Sequence, residues 1–186
     1  MRFTLKEPLA DIDFLQKNEG LRIVERISGP KVLFLGIFLG LILVIILAHL
    51  VTLHPYYVNY DFTFYTHIFM FVLIIPIHEL LHLLCFPNPR KTTVGIVLIK
   101  FIVFVTTEDV FSRDRLITTT LMPLLILTII PFLLSLFIKS DFLISIALVN
   151  LVGSGIDLIS ILYVVNHRKT DVFMFNGSEL YYQQVK

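Results

Sequence analysis

The sequence predicts an all-α membrane protein of about four transmembrane helices, with a short β-hairpin or strand segment between helices two and three. Three observations carry this. Of 186 residues, 56% are hydrophobic and 16% charged, against roughly 45–50% apolar in ordinary soluble domains. The apolar residues gather into four runs, each near the ~20 residues that a helix needs to cross ~30 Å of hydrocarbon. Between the second and third runs lies a stretch that is short for a span and rich in β-branched and aromatic residues.

Residues 1–30 have mixed charge and short apolar alternation, as in Arg22-Ile-Val-Glu-Arg-Ile27, which predicts a small strand or helix at the membrane surface. No apolar region with a small-residue cleavage site opens the chain, so the first span is expected to do the targeting itself. That span, 32–53, holds Gly36 and Gly40 in a G-x-x-x-G spacing suited to helix contact. Apolar segments produce this pattern often, so no dimer is inferred and the oligomeric state stays open. The second span, 62–86, contains Pro76, which removes a helix hydrogen bond and predicts a kink.

The stretch Thr92-Thr-Val-Gly-Ile-Val-Leu-Ile-Lys-Phe-Ile-Val-Phe-Val-Thr-Thr107 follows, with Lys100 at its middle. It reads as a strand or hairpin whose edge could pair with an unwound polypeptide; a re-entrant or interfacial segment without that role competes equally. The third span, 116–138, carries Pro123 and Pro131, which predict similar disturbances, and the fourth is 142–165. The tail, 166–186, has room for another short strand. Neither end is large enough for its own core, and no repeat or low-complexity linker divides the chain, so 1–186 reads as one membrane-embedded domain.

Charge orients the bundle. Arg2, Lys6, Lys17, Arg22, Arg26 and Lys31 precede the first span, and Arg90, Lys91, Lys100, Arg113 and Arg115 lie between the second and third. Arg168 and Lys169 follow the fourth, the loop Tyr56 to Asp61 has neither Lys nor Arg, and Lys139 alone falls on that side. Positive charge stays inside, so both termini and the central loop are expected in the cytoplasm. A net charge of +1 without a dense basic patch argues against a nucleic-acid partner. The single cysteine, Cys85, excludes an internal disulfide and suits packing.

Against this apolar background stands His78-Glu79-Leu80-Leu81-His82. Residues i and i+4 share a helix face, so both histidines can turn a ring nitrogen toward one Zn²⁺, with Glu79 beside them as a general base. With six His and six Glu, chance would place H-E-x-x-H in fewer than about one such chain in a hundred, the false-positive risk that short motifs carry. His78 lies about eight residues, or about 12 Å, below the cytoplasmic end of its span. Asp157 lies about eight residues below the same end of the fourth span and is the sole acidic residue within spans three and four as drawn here. A carboxylate in a membrane needs a partner, a proton or a metal, and a third ligand from a neighbouring helix would complete a zinc site with one position left for water. Asn150, Gly153, Ser154 and Asp157 form one small or polar stripe at i, i+3, i+4 and i+7. Close helix packing also explains Gly153, Ser154 and Gly155. His49, His54, His67 and His167 have no partner at ligand spacing.

An H-E-x-x-H helix, a basic loop and then a membrane segment reading Asn150-Leu-Val-Gly-Ser-Gly-Ile-Asp157 resemble the bacterial putative zincin peptidase family of unknown function. That family is itself similar to site-2-protease-type intramembrane zinc metalloproteases, and nearly the whole chain fits. The resemblance implies His78, His82 and Asp157 as zinc ligands and Glu79 as the catalytic carboxylate. It implies Asn150 as a substrate-binding residue or a part of the site's hydrogen bonds. The later motif departs from the site-2 pattern of Asn-Pro and Asp-Gly pairs, reading Gly155-Ile156-Asp157-Leu158 here.

The expected function is hydrolysis of a peptide bond in a membrane-bound or membrane-proximal polypeptide, in a bacterial cell membrane. Zinc would acidify water and polarise the carbonyl, and Glu79 would move the proton. Three alternatives stand beside it: an immunity or accessory factor that keeps the site for metal binding or packing; two buried imidazoles simply bonded to each other or to Glu79; and an ion transporter, for which four spans without a repeat give little support. Substrate, cleavage position, regulator and the choice among divalent ions are not written in the sequence.

Overall fold

The structure is a computed structural model and describes residues 2–4, 22–23, 29–54, 64–97, 102–168, 171–176 and 179–183. Four long helices dominate: α1 (Gly29–Thr52), α2 (Phe64–Cys85), α3 (Arg113–Ile138) and α4 (Asp141–Val165). Three are long and apolar enough to cross a membrane, namely α1 over Val32–Thr52, α3 and α4, whereas α2 carries a shorter apolar stretch, Val72–Cys85. Among the described residues three candidate spans therefore stand where the sequence predicts four. Outward-facing apolar side chains such as Phe34 and Ile45 on α1 and Phe137 on α3 suit hydrocarbon and would be costly in water.

Strands occur between helices two and three, where a hairpin is expected, and also in the N-terminal region and the tail, where the sequence leaves room for short ones. That hairpin is present, as β3 (Thr92–Val97) antiparallel to β4 (Ile102–Thr107). Gly95 faces Phe104 across it, and a Cβ there would collide with the ring. The N-terminal β1 (Arg2–Thr4) runs parallel to β3, giving the order β1-β3-β4. A second sheet, β2-β7-β6-β5, combines β2 (Arg22–Ile23), β5 (Val110–Ser112), β6 (Val172–Asn176) and β7 (Glu179–Gln183). The protein is mostly helical, and strands from both ends of the chain join those of the central connection in two small sheets. No single strand of two or three residues announces such a sheet, because its pairing is long-range.

The pairings of β1 with β3 and of β2 with β7 gather the N-terminal segment, the α2–α3 connection and the tail at one end of the helices. A cluster of Phe86, Phe111, Leu116, Val164, Phe173 and Leu180 seats the second sheet on the ends of α2, α3 and α4. Arg115 Nη2 donates to the Cys85 carbonyl at the end of α2 (3.3 Å), and Arg113 Nη1 donates to the His167 carbonyl just past α4 (2.9 Å). Cations there satisfy carbonyls that a helix end leaves unbonded. At the other end α3 and α4 are joined by Lys139, left-handed at φ 54°, and Ser140, which caps α4 by accepting from the Leu143 amide.

Two further features position the site. Gly36 and Gly40 of α1 lie against α4, where a Cβ at Gly155 would collide with the Gly36 carbonyl and meet the Gly40 nitrogen at 2.6 Å. The G-x-x-x-G therefore serves a contact within the chain. In α3, between the two prolines that the sequence marks as disturbances, Leu125–Ile129 form a π turn. Pro131 has no N–H and its ring crowds the carbonyl four residues back, which disfavours regular α-helix at this point. The loop 56–61, Lys100, and 5–21 and 24–28 of the N-terminal region lie outside the described residues.

Candidate metal centre

His78 and His82 project from α2 and Asp157 from α4, and the structure brings the three together, with one ligand atom of each within 4.8 Å of the others. The closest approaches are His78 Nε2 to Asp157 Oδ2 at 3.1 Å, His82 Nε2 to Asp157 Oδ1 at 3.4 Å, and Nε2 to Nε2 at 3.2 Å. The helix turn supplies the histidine pair, since a four-residue step places one ring above the other on a single face. The ring planes cross at 80°.

What the outer nitrogens do decides what the inner ones offer. His82 Nδ1 lies 3.0 Å from the Thr119 carbonyl. A carbonyl only accepts, so Nδ1 carries the proton, and in the neutral ring Nε2 keeps its lone pair. His78 Nδ1 lies 2.9 Å from Asn150 Oδ1. The Asn150 nitrogen is committed elsewhere, donating among the Pro123 carbonyl (3.1 Å), Thr128 Oγ1 (2.9 Å) and Ser154 Oγ (3.0 Å). Its oxygen therefore accepts from His78 Nδ1–H, and in the neutral ring Nε2 of His78 is bare as well.

With both rings neutral, three acceptors thus converge. Asp157 Oδ2, although 3.1 Å from an imidazole nitrogen, is buried without a hydrogen-bond partner among the described residues. A lone pair facing a carboxylate explains both facts. Only a cation, or protons added at Nε2, relieves such an arrangement. The Nε2–Nε2 spacing of 3.2 Å and the His78 Nε2 to Asp157 Oδ2 spacing of 3.1 Å compare with about 3.3 Å between two corners of a tetrahedron having arms of about 2.0–2.1 Å, the usual Zn–N and Zn–O distances. The donor set, two imidazoles and one carboxylate, suits zinc. The residues fit a metal of this kind.

Glu79 stays outside the ligand group. Its carboxyl takes the backbone amide of Val105 on β4, so the central hairpin lies against the H-E-x-x-H helix. Asn150, 2% exposed, is buried behind His78. Of the two roles offered by the resemblance, the geometry displays the hydrogen bond to the ligand. Ser154 is buried on Asn150, while Gly153 faces the His78 ring, its Cε1 lying 3.7 Å from where a Cβ would be. His167 sits apart, its Nδ1 on the Tyr163 carbonyl and its ring edge-on to Tyr182. Sequence reasoning missed Thr119, Pro123 and Thr128. The hydroxyls of Thr119 and Thr128, polar groups in an apolar span, were a usable signal; the carbonyls of Thr119 and Pro123 leave none, since every residue has one.

Fold and site together define a class: a helical protein, apolar enough to span a membrane, with two histidines and an aspartate grouped as metal ligands are. Residues 71–172 match the model of the family described as "Putative zincin peptidase". This match covers more than half of the chain, and the protein belongs to that family. No curated protein and no solved structure matches it.

Proposed function

We propose that the protein is a zinc-dependent intramembrane endopeptidase that hydrolyses a peptide bond of a membrane-bound or membrane-proximal polypeptide. One observation carries the reading: two imidazoles and a carboxylate from two helices converge beside a glutamate that is not one of them. His78, His82 and Asp157 would hold the ion, leaving a fourth position free. A bound zinc supplies Lewis acidity, acidifying water and polarising a carbonyl. The Glu79 carboxylate takes the proton of the attacking water and returns it to the departing amine nitrogen. Asn150 and the Thr119 carbonyl hold the ligand rings in register.

In this reading α2 is a fourth span, both termini and the two sheets are cytoplasmic, and the whole chain is one domain in a bacterial cell membrane. The positive-inside pattern supports this, as does the gathering of both chain ends and the hairpin at one end of the helices. A peptide bond within a helix is shielded by its own hydrogen bonds, so substrate must be held extended. β4 is the outer strand of its sheet and passes Glu79 at Val105, which suits pairing with an unwound substrate. The likeness to site-2-type proteases belongs to this proposal too.

The test is elemental analysis of detergent-purified protein, paired with cleavage of candidate membrane substrates by wild type and Glu79→Gln. About one zinc per chain, with turnover abolished in Glu79→Gln, is the expected result. Zinc-free wild type, after zinc was supplied during growth and purification, overturns the metal reading. Unchanged turnover in Glu79→Gln overturns the mechanism.

A further inference from the structure

The third helix contributes no ligand, yet it stands behind the outer nitrogen of both ligand histidines. Thr119 of α3 meets His82 Nδ1 directly. Behind His78 the connection runs through Asn150, whose amide nitrogen is held by Pro123 and Thr128 of the same helix. We propose that α3, with Thr128 on its π turn as the decisive side chain, is the positioning element that makes His78 present a bare Nε2 to the metal. This rests on the reading of His78, His82 and Asp157 as ligands.

Two of the groups around the Asn150 nitrogen cannot reverse their roles. An asparagine side chain flips easily in principle, and a flipped Asn150 would offer N–H to His78 Nδ1, moving the ring proton to Nε2 and closing the metal face. The Pro123 carbonyl opposes the flip because it only accepts. Thr128 opposes it too: its hydroxyl lies 3.4 Å from the Ala147 carbonyl, where it donates, so its lone pair is left for Asn150. Ser154 is the weaker constraint, since its hydroxyl can turn to donate instead.

The π turn makes the arrangement possible. Residues five apart in a regular α-helix stand about 140° apart around the axis, which would point Pro123 and Thr128 in different directions. Bonding from i to i+5 widens the turn and brings such residues to the same side. Ile130 closes that wider turn by donating to the Leu125 carbonyl. Thr128 is 5% exposed and Asn150 2%, so water does not substitute for the missing partner when one is removed.

The experiment uses the full-length protein in detergent, with ¹⁵N-labelled histidine. It reads the His78 tautomer in metal-free protein at alkaline pH and, separately, the affinity for Zn²⁺ against a competing chelator. Wild type is expected to show His78 protonated at Nδ1. Thr128→Val should redistribute that proton toward Nε2 and weaken zinc about 10–100-fold, the usual cost of losing an outer partner. The His82 tautomer, held by a backbone carbonyl, should stay unchanged in the same sample. Thr128→Ser should restore both readouts, and Asn150→Asp, whose carboxylate only accepts, should keep His78 protonated at Nδ1. A wild-type tautomer and affinity in Thr128→Val, or no rescue by serine, overturns the inference while leaving the zinc site intact. A tautomer change in Thr128→Val, with no zinc bound even by wild type, supports the positioning role and removes the metal reading.

Discussion

Along one face of α4, Gly155 lies against Gly36 and Gly40 of α1, and Ile144 and Leu148 join Val51 in an apolar cluster. Along the other, Asn150 and Ser154 bond each other, α3 and His78 on α2, and Asp157 meets both imidazoles. The same helix is thus held by close backbone approach on one side and by hydrogen bonds on the other. In lipid both are available, because association cannot draw on the expulsion of water. The contact with α1 needs only small residues and tolerates many sequences. The contact with α2 and α3 leaves few alternatives, since each buried polar atom must find a partner. Its one failure among the ligand atoms is Asp157 Oδ2, where a cation is called for.

The largest effect is expected on the polar face. His78→Ala or Asp157→Ala should reduce bound zinc from about one per chain to none, because two remaining ligands seldom retain the ion; elemental analysis of the purified variants checks it. If either variant kept its zinc, the two faces would differ in packing alone. Next comes Gly155→Leu on the apolar face. Its side chain meets the backbone of α1, so overpacking should cost at least about 1–3 kcal/mol and lower the unfolding temperature in detergent. The zinc content of the protein that remains folded should be unchanged, and a parallel loss would show that the faces are coupled.

Asn150→Leu should act in the opposite sense. It strips the outer bond from His78 and weakens zinc about 10–100-fold, while leaving the buried Pro123 carbonyl and Thr128 hydroxyl to lose about 1–3 kcal/mol each at most. The smallest structural effect belongs to Glu79→Gln. It lies outside the ligand group, so zinc content and melting temperature should stay at wild-type values while turnover disappears. A lowered zinc content would assign Glu79 to the metal instead.

Much of the polar face is legible residue by residue. H-E-x-x-H fixes two rings on one helix face by the pitch of the helix alone, and depth counting places Asp157 level with them. Gly36 and Gly40 announce a contact by spacing but cannot say whether the partner lies in the same chain. The strand-rich stretch after Thr92 reads correctly as a hairpin, whereas β1 and β5 are too short to carry a periodic signal and the alternation from Arg22 leaves strand and helix open. The second expected span, 62–86, appears as a helix whose described apolar part is shorter. Pro123 and Pro131 mark a disturbance in α3, but whether it becomes a kink or a π turn depends on neighbours outside that helix.

The sequence by itself determined the local matters: where apolar helices run, which side chains share a helix face, and how acidic and basic groups are spread. Those follow from repeat lengths and from the cost of charge in hydrocarbon. Only the tertiary structure decided that Asp157 meets the histidines, that Gly155 is the partner of Gly36, and that Nε2 rather than Nδ1 faces the ligand cluster. The reason is physical. Tautomer and ligand sphere are set by backbone carbonyls of Thr119 and Pro123, groups that every residue carries and that acquire meaning only when another helix is brought against them.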